Sequence, residues 1–228
     1  MNKTLKDMLI GVILGDAHIG KTGLDKAFIS FEQSKNKINY LNYLQTLTKE
    51  GGLPLLDDSL KEYSREDSRY NSLTNSLYFR TQSLEVLRPL ADKFLDESGK
   101  KIIPTNIAEL LTPRSLAFWI MDDGQQVKRG GVTLCTDNFK TDEINILREA
   151  LKTKFNLDTS IHNKKGQNET IYERIYIKKE GLEELKPTLK LHMHDSMFYK
   201  INENALIKQD SSEVVNDLEM DNFDLFDI

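Results

Sequence analysis

The chain has 228 residues, 39% hydrophobic and 29% charged, as in a typical folded globular protein, and no apolar run approaches the ~20 residues that span a bilayer. Its single cysteine, Cys135, excludes an intrachain disulfide and a cysteine-based metal cage, so we expect a buried, unreactive thiol. The net charge is −5, but residues 208–228 alone hold seven acidic residues and one basic residue. The rest of the chain has 30 basic and 29 acidic residues and is nearly neutral. It could bind nucleic acid only if its basic residues were gathered on one face.

The predicted helices and strands, taken in chain order, occur in two similar series. The first series begins with a helix capped near Thr4 and the second with a helix at Thr112-Pro113, because threonine is a good N-cap and proline a good first helical residue. β-branched and aromatic residues predict strands at 28–31, 76–81, 131–136 and 170–177. Apolar residues at helical spacing predict helices at 39–49 and 141–155, and the polar segments 57–75 and 163–169 are expected to be loops or ribbon tips.

The predicted fold class is α+β, with two pseudo-symmetric αββαββα halves at residues 1–104 and 105–207. The strands are expected to be antiparallel, because the connections are mostly too short for parallel crossovers. Residues 208–228 are acidic with scattered apolar side chains and lie outside the repeat. We expect this tail to be a disordered extension without a role of its own.

An internal repeat places two aspartates at matching positions. The first copy reads Leu9-Ile-Gly-Val-Ile-Leu-Gly-Asp16-Ala17, and the second reads Leu116-Ala-Phe-Trp-Ile-Met-Asp-Asp123-Gly124. Each is an apolar stretch that ends in an acid and a small residue. Further along, residues 78–89 resemble residues 176–187, and each half then reaches a basic residue near its end, Lys101 and Lys200.

The repeat predicts a metal-dependent site for phosphodiester hydrolysis. Gly11 and Gly15 share one helix face, and glycine inside a helix is compensated when another backbone approaches closely. If the two apolar helices pack there, Asp16 and Asp123 become neighbours whose repulsion a hard cation such as Mg²⁺ relieves. Such a metal activates water and neutralises a leaving oxygen. The alternative is that both aspartates are structural helix ends, which the helix dipole disfavours.

These motifs resemble the paired motifs of single-chain LAGLIDADG endonucleases. The stretch from Phe118 to Gly124, preceded by Leu-Thr-Pro, is similar to the branch encoded in organellar group I introns. The resemblance spans about residues 5–205. It implies packed motif helices at the interface of the halves, saddle-shaped sheets lying in the DNA major groove, and double-strand cleavage at a long asymmetric site. Phe118, where many members have glycine, implies that the helix contact is not symmetric.

The resemblance also implies roles for individual residues. The metal-binding acids would be Asp16 and Asp123, with the backbone carbonyls of Gly15 and Asp122 as further ligands and Mg²⁺ as the metal, for which Mn²⁺ can substitute. Lys101 and Lys200 would act in catalysis, by stabilising charge or orienting water. DNA contacts are expected from side chains on the solvent face of the strands and in adjoining loops: Lys26, Gln33, Lys35, Lys37, Arg80, Gln82, Lys128, Arg129, Asn163, Lys164, Lys165, Arg174 and Lys178.

Two other functions remain open at this point. A maturase would use the same fold to bind intron RNA and assist splicing, and a DNA-binding regulator would use the acidic tail to recruit a partner. Retention of both aspartates and both lysines favours the nuclease. We expect a monomer without membrane attachment. Residues 1–7 lack the layout of a targeting signal, so we expect the protein to work in the compartment where it is made, which is an organelle if an intron there encodes it.

Overall fold

The computed structural model describes residues 1–67, 72–166 and 169–201. The predicted tail at 208–228 therefore lies outside the described residues. The helices are Lys3–Leu14 (α1), Ile38–Glu50 (α2), Arg88–Phe94 (α3), Ile107–Leu110 (α4), Pro113–Asp123 (α5), Thr141–Phe155 (α6) and Lys179–Lys190 (α7), with 3₁₀ helices at Lys35–Lys37, Glu85–Leu87 and Asp195–Lys200. None of the described helices has the length and apolar character to cross a bilayer.

Two four-stranded antiparallel sheets, one in each half, have the same strand order. Strands His18–Thr22 (β1), Lys26–Ser34 (β2), Lys61–Asp67 (β3) and Ser72–Arg80 (β4) pair in the order β1-β2-β4-β3. Strands Gly124–Gln126 (β5), Val132–Leu134 (β6), Thr159–Lys165 (β7) and Ile171–Ile177 (β8) pair in the order β5-β6-β8-β7. This arrangement confirms the predicted α+β fold with two pseudo-symmetric halves. The first hairpin of the second half is shorter, with three residues in each strand.

The two motif helices, α1 and α5, are buried over most of their length and pack against each other at the centre of the molecule. Every residue from Met8 to Leu14 and from Ser115 to Asp122 is buried. A helix that is apolar all round requires such a position, because no face of it is suited to water. Gly11 makes the close approach possible, since a Cβ atom there would lie 2.7 Å from Cβ of Phe118 and against the carbonyl oxygen of Ser115.

The ends of the elements confirm some sequence predictions and correct others. Thr112 caps α5 as expected, and its side chain and that of Ser115 form a reciprocal capping box. The cap expected at Thr4 is wrong: Asn2 caps α1 by accepting a hydrogen bond from the backbone nitrogen of Leu5 at 2.8 Å. Much of the polar segment 57–75 belongs to strands β3 and β4. A sheet with one face in water tolerates polar side chains, so polarity alone did not reveal these strands.

We expect Gly11→Ala to lower the free energy of unfolding by about 1–3 kcal/mol, because the added methyl group would overpack the contact between α1 and α5. Helix propensity alone would favour alanine by about 1 kcal/mol. The unfolding midpoint in urea can be followed by fluorescence of Trp119, the only tryptophan. Gly181→Ala in α7 is a matched control, since the nearest atom to its Cβ would be the end of the Leu157 side chain at 3.1 Å, with backbone no closer than 3.6 Å. Equal stability of Gly11→Ala and the unaltered chain would contradict the close helix contact.

Candidate active site

The two motif aspartates meet where α1 and α5 end. Helix α1 stops at Leu14, and the chain turns at Gly15 to present Asp16, whereas Asp123 is the last residue of α5. The backbone nitrogen of Asp16 donates a hydrogen bond to Oδ2 of Asp122 at 3.2 Å, which joins the ends of the two motifs directly. The side chain of Asp16 is exposed and that of Asp123 half-buried, so both are near the surface at the foot of the helix pair.

The charge on Asp123 is poorly compensated. Burial and the neighbouring carboxylate of Asp16 raise the pKa of Asp123 well above its ordinary value, although Lys101 and Lys200 oppose the shift. A divalent cation between the two carboxylates would remove this repulsion, and oxygen ligands suit Mg²⁺. Within the described ranges no group of three or more His, Cys, Asp or Glu side chains forms a metal cage. A cation bound by these aspartates would therefore complete its shell with backbone carbonyl, water and phosphate oxygens.

One lysine stands beside each aspartate, bound to the carbonyl groups on either side of it. The ammonium of Lys101 donates to the carbonyl oxygens of Gly15 and Ala17 at 3.0 and 3.1 Å. The ammonium of Lys200 donates to those of Asp122 and Gly124 at 3.3 and 2.6 Å. The two contacts occupy equivalent motif positions, so the pseudo-symmetry of the fold extends to the lysines.

Both lysines have depressed pKa values. Burial lowers the pKa of Lys200 to about 8, and the nearby charge of Lys37 adds to the effect, against the attraction of Asp16 and Asp122. Burial also lowers the pKa of Lys101, against the attraction of Asp123, Asp122 and Asp16. Each ammonium therefore loses its proton more readily than a solvated lysine does.

A buried polar cluster lies behind the first aspartate. Oδ1 of Asp122 accepts a hydrogen bond from the hydroxyl of Tyr40 at 2.8 Å, and both side chains are buried. The amide nitrogen of Gln33 donates to Oδ2 of Asp16 at 2.8 Å and lies 3.4 Å from Oδ1 of Asp122. Burial and the charges of Asp16 and Asp123 raise the pKa of Asp122 well above its usual range. Asp122 thus contributes a buried side chain in addition to the backbone carbonyl expected of it.

The expected orientation of Gln33 is wrong. Its side chain is 5% exposed and points to the same face of β2 as Ile29 and Phe31, whereas Lys26 points to the opposite face. The period of two along a strand requires this, because Lys26 and Gln33 are an odd number of residues apart.

The other predicted DNA contacts lie on or beside the two sheets. Lys26, Lys35, Gln82, Lys128, Arg129, Asn163, Lys165 and Lys178 are exposed, while Lys37, Arg80, Lys164 and Arg174 are half-buried. The guanidinium of Arg80 lies 3.5 Å from the centre of the Phe28 ring. Arg174 forms two hydrogen bonds with the carboxylate of Asp137, at 2.7 and 2.6 Å. The Asp137 carboxylate therefore offsets part of the positive charge that Arg174 could offer to a phosphate.

Residues 6–185 match the model of the LAGLIDADG DNA endonuclease family. The chain belongs to that family. The matched residues include most of α1 and all of α5, the helices of the two motifs.

Similar proteins agree with this membership. The solved structure of the homing endonuclease I-WcaI bound to its DNA recognition sequence superposes with a TM-score of 0.76 and 27% identity, over 89% of this chain and 88% of that one. A probable intron-encoded endonuclease of Wickerhamomyces canadensis is 30% identical over 88% of this chain and 85% of its own length. The cytochrome b mRNA maturase bI2 of Saccharomyces cerevisiae is 30% identical over 88% of this chain, which spans only 48% of that relative.

Sequence reasoning missed Tyr40 and the side chain of Asp122. Tyr40 lies in α2 at a position that its spacing from Leu44 marks as core, and nothing local distinguishes a core tyrosine with a bonded hydroxyl from any other. A signal for Asp122 was available, because an acid within an otherwise apolar LAGLIDADG helix must find partners when it is buried.

We expect the thiol of Cys135 to react slowly with iodoacetamide in the folded protein. Burial raises its pKa from 9.0 to about 11, with the attraction of Arg174 opposing the shift. At pH 8 the reactive thiolate would be about a hundredfold scarcer than in a peptide thiol, since each pKa unit is a factor of ten. Mass spectrometry of samples taken over time in buffer and in urea measures the two rates. Equal rates in the two conditions would contradict the shift.

Proposed function

We propose that this protein is a site-specific endonuclease that hydrolyses both strands of DNA at a long asymmetric site. The observation that carries the proposal is the placement of Asp16 and Asp123 at the foot of the paired LAGLIDADG helices, with Lys101 and Lys200 beside them. The superposing protein is a homing endonuclease bound to its DNA recognition sequence, which supports DNA as the substrate.

Asp16 and Asp123 would each bind divalent metal, most simply Mg²⁺, with Mn²⁺ as a substitute. The carbonyl oxygens of Gly15 and Asp122 each keep a second lone pair beside their bond to a lysine and so could serve as further ligands. When bound, the metal supplies an activated water and charge neutralisation at the scissile phosphate. The raised pKa of Asp123 supports this assignment, because the carboxylate pair is unfavourable without a cation.

Lys101 and Lys200 would place one positive charge near each scissile phosphate. Their ammonium groups are held by backbone carbonyls rather than by carboxylates, so their charge is not cancelled by a direct ion pair. In a partly dry site such a charge stabilises the extra negative charge of the transition state more strongly than it would in water. Because each lysine binds the carbonyl groups on either side of an aspartate, its ammonium group keeps a fixed position relative to that carboxylate.

The duplex would lie along the two sheets, with the exposed basic and amide side chains on the strands and their turns as its contacts. The candidates are Lys26, Lys35, Lys37, Arg80, Gln82, Lys128, Arg129, Asn163, Lys164, Lys165, Arg174 and Lys178; Gln33 instead contacts Asp16. A two-stranded ribbon fits the major groove, and the side chains that alternate on one of its faces can reach base edges.

A second candidate function is assistance of RNA splicing. The relative in Saccharomyces cerevisiae is named a cytochrome b mRNA maturase, and another in Debaryomyces hansenii, 26% identical over 88% of this chain, has the same name. These names also support expression inside an organelle from an intron. Splicing of the host intron in vitro, with and without the protein, tests this function. Unchanged splicing together with intact DNA cleavage would contradict the splicing role and leave nuclease activity as the only function of the two.

Selection of cleaved sites from a random duplex library in Mg²⁺ tests the proposed function and identifies the target. We expect Asp16→Asn and Asp123→Asn each to abolish double-strand cleavage while leaving DNA binding within severalfold, because each removes a metal-binding charge but no surface contact. Binding is measured by gel shift and cleavage by gel electrophoresis. EDTA should stop cleavage by the unaltered protein, and Mg²⁺ or Mn²⁺ should restore it. Full-rate cleavage by either variant would contradict the assignment.

We expect Lys101→Met to slow cleavage by about 10²–10³-fold, the loss typical of a charge that stabilises the transition state. Lys100→Met is the matched control, since Lys100 is exposed and precedes Lys101 directly. That control should change the single-turnover rate by no more than a few-fold. A similar loss in both variants would indicate that general attraction of DNA, rather than placement at the site, accounts for the effect of Lys101.

A further inference from the structure

The two halves of the candidate site are not equivalent where their motifs touch. The residue before the metal-binding acid is Gly15 in the first motif and Asp122 in the second. The carboxylate of Asp122 occupies the space that the missing side chain leaves, because a Cβ atom at position 15 would lie 2.5 Å from Cβ of Asp122 and 2.8 Å from its Oδ2. The carboxylate of the second motif therefore packs against the first motif, and the first motif has no equivalent side chain that packs against the second.

The carboxylate of Asp122 accepts hydrogen bonds from both Tyr40 and Asp16. The hydroxyl of Tyr40 donates to Oδ1 of Asp122 at 2.8 Å, from helix α2 of the first half. Oδ2 of Asp122 accepts from the backbone nitrogen of Asp16 at 3.2 Å. The amide of Gln33 lies between the carboxylates, 2.8 Å from Oδ2 of Asp16 and 3.4 Å from Oδ1 of Asp122. Asp16 is thus tied to this cluster through its backbone and through its side chain.

The second half has a different residue at the place of Gln33. Gly124, which follows Asp123, pairs with Leu134 at the end of β6, and Thr136 lies two residues further along the chain. In the first sheet, extending the β1–β2 register one residue beyond His18↔Ser30 pairs Ala17, which follows Asp16, with Phe31. Gln33 lies two residues after Phe31 and so corresponds to Thr136. The hydroxyl of Thr136 donates to the carbonyl oxygen of Glu173 at 2.7 Å. Thr136 therefore does not do for Asp123 what Gln33 does for Asp16.

A purely structural role explains this cluster poorly. Three carboxyl groups close together at a partly buried site raise one another's charging cost, and the Tyr40 hydroxyl avoids a burial penalty only because Asp122 accepts its hydrogen bond. Phenylalanine at position 40 and a neutral residue at position 122 would fill the same core at lower cost. The cluster becomes understandable if it fixes where the Asp16 carboxylate points.

We propose that Tyr40 and Asp122 are positioning residues that hold Asp16 for cleavage of one DNA strand, so that the two strands are cut by unequal halves of the site. The inference rests on the proposed nuclease function. The two strands of a duplex are antiparallel, so sites related by a pseudo-twofold axis face one strand each. A displacement of about 1 Å in a reacting group can cost about 10²-fold in rate. The strand served by Asp16 thus depends on this cluster, and the other strand does not.

The test uses a duplex recovered from the library selection, with a different fluorescent dye on each strand. Single-turnover rates in Mg²⁺ are measured separately for the two strands with Tyr40→Phe and with Asp122→Asn. We expect one strand to be cut at least tenfold more slowly than by the unaltered protein and the other to change by less than threefold. Nicked duplex should accumulate as a result. Tyr43→Phe is the matched control, since Tyr43 lies one turn further along α2 and stacks on Phe118; it should leave both rates unchanged.

The strand-specific rates test the positioning role separately from the nuclease function. Equal slowing of both strands, or of neither, by Tyr40→Phe would overturn the positioning role while leaving the nuclease function intact. Cleavage of no library duplex by the unaltered protein would overturn the proposed function, and this inference with it. Unfolding midpoints identify any variant that loses its fold. Should Asp122→Asn do so, Tyr40→Phe decides the matter, because it keeps the buried ring and removes only the hydroxyl.

Discussion

The close contact between α1 and α5 is the constraint on which the rest of the structure depends. Gly11 allows the backbones to approach at the middle of the pair, and Gly15 leaves room for the side chain of Asp122 at the foot. The helix pair sits at the centre of a core that contains residues of both halves, so its geometry determines how the two sheets face each other. It also determines the separation of Asp16 and Asp123, which belong to parts of the chain that are distant in sequence. The candidate chemistry is therefore a consequence of helix packing.

The same packing brings charges into a region that would otherwise be apolar. Lys200 is 8% exposed and Asp122 5% exposed, and neither has a direct ion-pair partner within the described part of the chain. Backbone carbonyls satisfy the lysine, and a tyrosine hydroxyl, an amide and a backbone N–H satisfy the aspartate. Groups with strongly shifted pKa values of this kind concentrate at functional sites, because burial that weakens a fold is tolerated where it serves binding or chemistry. The distribution of buried charge thus agrees with the family membership.

The sequence was sufficient for the parts of the fold that local chemistry determines. Thr112 and Pro113 marked the start of α5, and the repeat alone predicted that Asp16 and Asp123 would be neighbours. It was insufficient where one residue's environment depends on a distant element. The burial of Gln33 followed from strand alternation, but its contact with Asp16 depends on where the end of α1 lies against the sheet. Tyr40 resembles an ordinary core residue in the sequence because its partner, Asp122, is 82 residues away.

The complementarity of Gly15 and Asp122 has a consequence for how this architecture can change. Two identical subunits would present the same residue on both sides of the axis: a pair of aspartates would collide, and a pair of glycines would leave a void and strip the Tyr40 hydroxyl of its acceptor. This interface requires two halves with different residues at this position, and a fused chain encodes them separately. The two halves are therefore not interchangeable. Replacing either half with a copy of the other would require new residues at the contact between Gly15 and Asp122.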